Sequence, residues 1–358
     1  MFEIAHVEIT SRCNAQCPGC ARVNEDDFTL HPILKQNKLD WTLEDFQRIF
    51  PPYFVENRKF QFGVVVDEPF MNPNLPDIVE YALLNGAEEV YIYTNGGAGT
   101  SLTWERIADM SRRFYPRLFV EFSIDGHKET NHIYRRFVKW KNVERNINLY
   151  CTLARNNDKV NGRWVYLVFD HNEKDIKNAE AFAKTLGIDF LIRANTRNTD
   201  SWFVDDEKDS YEVKPTTNKN FQHSQLEEKR KFDKKPKKNL SLDDIESIGC
   251  YHYHDREIFV DWNQNVFPCC WWGSSYYYDG EDKKEKIYKP IEDKYGSNWC
   301  SLKEHSLEEI LQGFYLQDLV KGWSTTSEFN HGEMCFKKCG DCGVRRKYEW
   351  FDSNGNSI

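Results

Sequence analysis

Cys13, Cys17 and Cys20 stand in the stretch Cys13-Asn-Ala-Gln-Cys17-Pro-Gly-Cys20, a C-x3-C-x2-C triplet. Three thiolates at this spacing can take three corners of a cubane iron–sulfur cluster. A cluster with three protein ligands leaves one iron open, and an open coordination position is what a catalytic metal needs. A structural zinc with a distant fourth ligand is the competing use, but zinc knuckles usually present C-x2-C pairs. The chain holds 11 Cys in all. Cys151 is isolated, and Cys250, Cys269, Cys270, Cys300, Cys335, Cys339 and Cys342 form a second group. An odd total, in a chain whose N-terminus lacks a basic region followed by an apolar core, argues for reduced, metal-bound thiolates over a disulfide scaffold.

The elements that would position the triplet are strands alternating with helices. β-rich runs occur at Ile4–Thr10, Phe60–Val66, Glu89–Thr94, Leu118–Ile124, Arg163–Phe169 and Asp189–Ala194, several of them near-continuously apolar, as in strands buried on both faces. Helix signals fall between them: Thr42–Phe50 with a capping Thr, Leu75–Asn85 followed by Gly86, Trp104–Phe114, Val143–Ala154, and Glu173–Leu186 followed by Gly187. Six βα units predict an α/β fold with a parallel sheet and right-handed crossovers, as a partial, open TIM-like barrel, since a closed one needs eight. The triplet would then lie at the C-terminal end of the first strand, the end that carries chemistry in such barrels.

Residues 200–245 are highly charged with few aliphatics and read as a linker or surface insertion. The basic patch Lys229, Arg230, Lys231, Lys234, Lys235, Lys237 and Lys238 reads as a solvated face rather than a binding site, because acidic residues flank it. Lys+Arg is 48 against Asp+Glu 57, a net charge of −9, which argues against a general nucleic-acid binder. No run approaches the roughly 18 apolar residues of a membrane span. From about 250 onward short strands and loops dominate. Glu257–Asp261 and Val266–Cys269 flank a hairpin turn, and Ser306-Leu-Glu-Glu309 is a capping box opening a helix to about Val320. So little aliphatic core calls for a staple, which cysteines around a metal would supply.

The segment from Glu8 to Arg22 resembles the opening of a radical S-adenosylmethionine (radical SAM) enzyme. The resemblance implies a partial six-unit barrel and a 4Fe-4S cluster on Cys13, Cys17 and Cys20. Its open iron binds the amine and carboxylate of S-adenosylmethionine (SAM), and the cofactor is cleaved to methionine and a 5′-deoxyadenosyl radical that abstracts a substrate hydrogen. Further pieces match at successive strand ends. Val66-Asp67-Glu68-Pro69 stands where relatives have Gly-Gly-Glu-Pro, with both glycines replaced, and Thr94-Asn95-Gly96 follows strand three. Ser123, Asp125 and Arg135 follow strand four and Asn195 follows strand six. The implied SAM contacts are therefore Asp67, Glu68, Thr94, Asn95, Ser123, Asp125, Arg135 and Asn195. Gly19 departs from the aromatic frequent before the third cysteine.

The second cysteine group resembles the auxiliary-cluster extensions called SPASM and Twitch. Cys250-x18-Cys269, the hairpin ending at Cys269, and Cys335-x3-Cys339-x2-Cys342 carry that likeness, with Gln264 where relatives have a turn glycine. It implies one auxiliary 4Fe-4S cluster on Cys250, Cys269, Cys339 and Cys342, with Cys335 the nearest competitor for a ligand place. Seven cysteines do not supply two full sets of four. Cys270 and Cys300 stay open between ligand and free thiol, and Cys151 reads as a core residue. His252 and His254 read as hydrogen-bonding or surface residues rather than metal ligands.

The expected organisation is a radical SAM barrel over 1–199, the charged segment over 200–245, and a small cysteine-rich α+β iron–sulfur domain over 246–358. The expected function is a radical SAM enzyme, oxidoreductase or transferase, that modifies a peptide or protein. A nucleoside, sugar or other small molecule is the alternative substrate, and a zinc-stapled non-enzymatic binding protein is the alternative of another class. An electron donor such as flavodoxin or ferredoxin is the expected partner. The expected location is the cytoplasm, or the host cytoplasm if the chain is virus-encoded.

Overall fold

The computed structural model describes residues 2–24, 27–157, 159–194, 202–204, 210–222, 250–278, 284–315, 318–319, 323, 334–335 and 349–358. Six strands pair in parallel and in chain order: β1 (Ile4–Val7), β2 (Lys59–Phe62), β3 (Glu89–Thr94), β4 (Leu118–Ser123), β5 (Gly162–Leu167) and β6 (Asp189–Arg193). Helices α1 (Leu43–Ile49), α2 (Leu75–Leu84), α3 (Ser101–Arg113), α4 (Trp140–Leu153) and α5 (Ile176–Leu186) connect them. The protein is thus mixed α/β with a mostly parallel central sheet, as the alternation of strand and helix signals predicts.

Three further strands extend the sheet at both edges. β7 (Glu257–Val260) pairs in parallel with β1, Ile4 facing Glu257, and turns back into β8 (Val266–Phe267). β9 (Trp350–Phe351) pairs antiparallel with β6. The β7–β8 turn holds Gln264 at φ 66°, a left-handed conformation that favours glycine. Its side-chain oxygen accepts from Arg48, and its carbonyl accepts the Leu302 N–H at 2.8 Å.

Local chemistry fixes the helix ends. Thr42 and Asp45 form a reciprocal capping box before α1, and Gly187 closes α5 at φ 69°. The core lies between sheet and helices. Phe60 of β2 packs on Phe46 of α1 and on Phe50, just past its end, at ring-centroid distances of 5.6 and 5.2 Å. Trp104 of α3 stacks on Phe70 at 3.6 Å and donates its indole N–H to the Ala98 carbonyl at 2.9 Å.

Two sequence expectations are corrected. The strands are not apolar on both faces: Gln61, Tyr91, Tyr93, Glu121 and Arg163 share the face away from the helices. Tyr93 donates to Gln61 at 3.1 Å, Tyr91 to Glu121 at 2.7 Å, and Arg163 to Glu121 at 3.0 Å. Cross-strand bonds pair these side chains, although Glu121 Oε1 has no partner among the described residues, so the row folds where a lone polar side chain would not. The helix opened by Ser306 runs regularly only over Leu307–Ile310; a wider turn follows over Leu311–Tyr315, with non-helical angles at Gly313. Residues 320–322 lie outside the described residues. No helix among the described residues is long and apolar enough to cross a membrane.

Candidate active site

The cysteine triplet occupies the loop beyond the C-terminal end of β1. Two anchors fix that loop at its base. Arg12 donates through Nε to Asp40 at 3.0 Å and through Nη2 to the Met71 carbonyl, and Arg22 reaches back to the carbonyls of Ser11, at 2.9 Å, and Val66. The Cys20 N–H bonds the Cys17 carbonyl at 3.1 Å, and the Ala15 N–H points at Cys13 Sγ at 3.4 Å. Burial pushes the Cys13 thiol strongly up and the Cys17 thiol up to about 11, the charge of Arg135 opposing it at Cys17. Cys17 adds to the rise at Cys13 and Cys20 to the rise at Cys17, so Cys17 neighbours both other thiols.

The ends of β2 and β3 close on this loop. The Glu68 N–H bonds the Arg12 carbonyl at 2.9 Å. The Glu68 carboxylate accepts from Thr94 Oγ1 and from the Asn95 N–H, each at 2.7 Å. Burial nevertheless raises Glu68 to about 7. Burial raises Asp67 as well, with Glu8 and Glu68 adding to it; the Arg22 charge and the Ile9 amide offset only part of that cost. Among the described residues neither Asp67 oxygen has a hydrogen-bond partner of good geometry, the Ile9 amide being a weak neighbour, although the residue is only 9% exposed. Glu8 accepts the Val66 N–H at 2.6 Å and is pushed up to about 8 by burial.

Beyond β4, Asp125 is fully buried and accepts from Arg135 Nε at 2.6 Å and from the Leu167 N–H at 2.8 Å. Arg135 also bonds the Cys17 side chain. Asp67, Glu68, Thr94, Asn95, Asp125 and Arg135 are therefore gathered around the triplet. Ser123 is the last residue of β4 and is half-buried. Asn195 lies outside the described residues.

Two residues at this end carry no sequence motif. The Trp202 ring lies so close to Gly19 that a Cβ there would come within 2.6 Å of it. Trp202 belongs to a short antiparallel pair, Trp202–Val204 with Tyr211–Val213, tied down by Tyr211 donating to the Ile133 carbonyl at 3.1 Å. A tryptophan opening a charged stretch was the available signal. His171 stacks on Phe169, neither ring nitrogen has a partner among the described residues, and burial lowers it to about 4.

In the second group, Cys250, Cys269 and Cys335 line one cleft with Trp271, Trp272 and Met334. Cys250 caps the short helix Tyr251–His254, and Cys269 follows β8. Burial raises the Cys269 thiol well above its ordinary value and Cys335 to about 11. Cys339 and Cys342 lie outside the described residues. Cys270 opens the helix Cys270–Tyr278, and Cys300 is buried beside the hairpin, its carbonyl accepting the Val266 N–H at 2.8 Å. Cys151 is buried in α4, in the core. His252 is buried and bonded to Glu257. Among the described residues no three His, Cys, Asp or Glu side chains converge as a site for a single metal ion.

No protein-family model matches the chain, and no curated protein matches it. Several solved structures are similar to it. SuiB of Streptococcus suis has a TM-score of 0.48 and 13% identity, covering 81% of this chain and 70% of its own. The anSMEcpe structure with bound AdoMet has a TM-score of 0.47 and 12% identity, covering 94% and 88%. BtrN in complex with AdoMet and 2-DOIA has a TM-score of 0.41 and 12% identity, covering 100% and 99%.

Proposed function

We propose that the chain is a radical SAM enzyme with a 4Fe-4S cluster on Cys13, Cys17 and Cys20, and that it modifies a peptide or protein. The carrying observation is the convergence of this thiol triplet with Asp67, Glu68, Thr94, Asn95, Asp125 and Arg135 at one end of the parallel sheet. The donor set fits the group: three adjacent thiols suit iron–sulfur chemistry, and one ligand place is left over. When bound, the cluster supplies the electron that cleaves SAM and so generates the radical that takes a substrate hydrogen.

The chain's own residues bind and orient. The Asp67 carboxyl, without a hydrogen-bond partner of good geometry among the described residues, suits the ammonium of SAM, whose positive charge would offset the burial that disfavours the carboxylate. Glu68 holds the Thr94–Asn95 turn in place through Thr94 Oγ1 and the Asn95 N–H. Arg135, braced by Asp125, suits the SAM carboxylate. Ser123 and Asn195 complete the proposed contacts. Trp202 covers the loop at Gly19 and shields it from water. We assign a second 4Fe-4S cluster to Cys250, Cys269, Cys339 and Cys342. Cys335 is the competing ligand, and its place beside Cys250 and Cys269 supports that candidacy. A flavodoxin or ferredoxin would supply electrons.

The test is anaerobic reconstitution followed by reduction with SAM present and chromatography for 5′-deoxyadenosine. About eight irons per chain and deoxyadenosine formation are expected. The variant with Cys13, Cys17 and Cys20 all changed to Ala should lose cleavage and keep the auxiliary iron. Stoichiometric zinc without iron, or cleavage that survives the triple change, would overturn the assignment. Deuterium transfer into deoxyadenosine from a labelled peptide, set against a small-molecule panel, separates the two substrate classes.

A further inference from the structure

Asn95 is the residue after β3, and its side-chain amide is oriented by bonds at both ends. Oδ1 accepts the Gly97 N–H at 2.8 Å, which fixes which end is oxygen and turns Nδ2 the other way. That NH2 group donates to Asn14 Oδ1 at 2.7 Å and to Cys13 Sγ at 3.7 Å. The surroundings leave it little freedom. Its own backbone N–H is held by Glu68, and Asn146 of α4 donates to the Gly96 and Ala98 carbonyls at 2.8 and 2.9 Å. Gly97 faces it so closely that a Cβ there would lie 3.1 Å from Asn95 Oδ1, 3.0 Å from Asn14 Nδ2 and 2.6 Å from Val138 Cγ1. Asn95 is 5% exposed, so water does not compete for this donor.

We infer that Asn95 is a positioning residue that donates a hydrogen bond to the Cys13 sulfur and thereby sets the reduction potential of the cluster on the N-terminal triplet. The inference rests on the radical SAM reading and adds a role that contact with SAM does not require. Reduction adds negative charge to a cluster and its thiolates. An N–H aimed at a ligand sulfur stabilises the reduced form more than the oxidised form and raises the potential. Burial strengthens that effect, because the local dielectric is low. The Ala15 N–H makes a second such bond to the same sulfur. That one is backbone, so Asn95 is the donor that mutation can remove.

The experiment is an anaerobic redox titration of the reconstituted full chain without SAM. It follows by electron paramagnetic resonance the signal that SAM addition alters. Asn95→Leu removes the donor at similar size, and Asn95→Asp removes it while keeping an acceptor for the Gly97 N–H. Asn14→Ala removes the neighbouring acceptor and leaves the bond to sulfur. Both Asn95 variants should keep their iron and, at a fixed poise, show a reduced-to-oxidised ratio about tenfold lower; tenfold is about 59 mV for a one-electron couple. Asn14→Ala should stay within about twofold of wild type on the same scale. Full-iron Asn95 variants that titrate with the wild type would overturn the inference.

A measurement that leaves Asn95 in place covers loss of iron in the Asn95 variants. With 15N-asparagine incorporated into Asn14→Ala, pulsed resonance of the reduced cluster should show a weakly coupled asparagine nitrogen. Its absence would also overturn the inference. A wild type that holds no iron, or whose signal ignores SAM, would instead defeat the radical SAM reading.

Discussion

The Asp125–Arg135 pair allows a double-mutant cycle whose outcome follows from its burial. Asp125 is fully buried, Arg135 is 17% exposed at its side chain, and they meet at 2.6 Å. Asp125→Ala strands a guanidinium and takes the acceptor from the Leu167 N–H. Breaking a buried pair costs about 3–5 kcal/mol, so roughly 4 kcal/mol of stability should be lost. Arg135→Met strands the carboxylate, which keeps its bond from the Leu167 N–H; about 3 kcal/mol is expected. The double variant leaves neither charge unmatched. It should lose about 4 kcal/mol rather than the sum of about 7, a coupling near 3 kcal/mol. Urea unfolding followed by tryptophan fluorescence at constant pH measures all four corners of the cycle. Coupling below about 0.5 kcal/mol would mean that the two charges are separately solvated, and the description of a buried, mutually dependent pair would be wrong. Arg135→Met should also reduce deoxyadenosine formation while iron stays bound. Equal cleavage would remove Arg135 from the site.

Other regions give simpler outcomes. Burial raises Glu8 to about 8 and Asp261 to about 6, so the folded protein holds these protons more tightly than the unfolded chain. Their contribution is intact at low pH and is lost as pH rises from about 4 through those values. Glu8→Gln should flatten the fall in unfolding free energy between pH 5 and 8.5, and a slope equal to wild type would contradict the burial argument. Trp202→Ala uncovers the loop at Gly19, so iron–sulfur absorbance should bleach faster in air; an unchanged bleaching rate would count against shielding by Trp202. Gly97→Ala drives a methyl against Val138, Asn14 and Asn95, and deoxyadenosine formation should fall at least tenfold with a smaller loss of iron. Full activity would show that this turn relaxes freely.

Much of the architecture could be read locally. Glu89–Thr94 is a six-residue strand run that the structure reproduces end to end, and the capping Thr42 opens α1 as a Thr in that place should. The gathering of Glu68, Asn95 and Arg135 around the triplet follows from their order after successive parallel strands, all of which deliver their ends to one side. Features that depend on distant partners were hidden. Tyr91, Glu121 and Arg163 look like interruptions in apolar strands until the neighbouring strand supplies each bond. The hairpin beginning at Glu257 announces itself as a hairpin, but nothing in its residues says that it lies parallel to β1. Gly313 reads as one tolerable residue inside a capped helix, and its freedom of backbone angle let the turn widen there instead. Trp202 has meaning only beside Gly19, more than 180 positions earlier.

The pairing of β1 with β7 has a consequence during synthesis. Ile4 and its partner Glu257 are 253 positions apart. At about 5–20 residues per second the ribosome needs on the order of 13–50 s to travel between them. Throughout that interval one flank of β1 is a raw edge, with backbone donors and acceptors open to any extended chain that passes. The cysteine triplet hangs from the end of that same strand, so its loop is attached to a sheet margin that is still unsealed. Yield of sound protein should therefore depend on translation speed and on holdase chaperones more than the final stability would suggest. Slowing translation at codons between β6 and β7 would prolong the exposure and increase insoluble product.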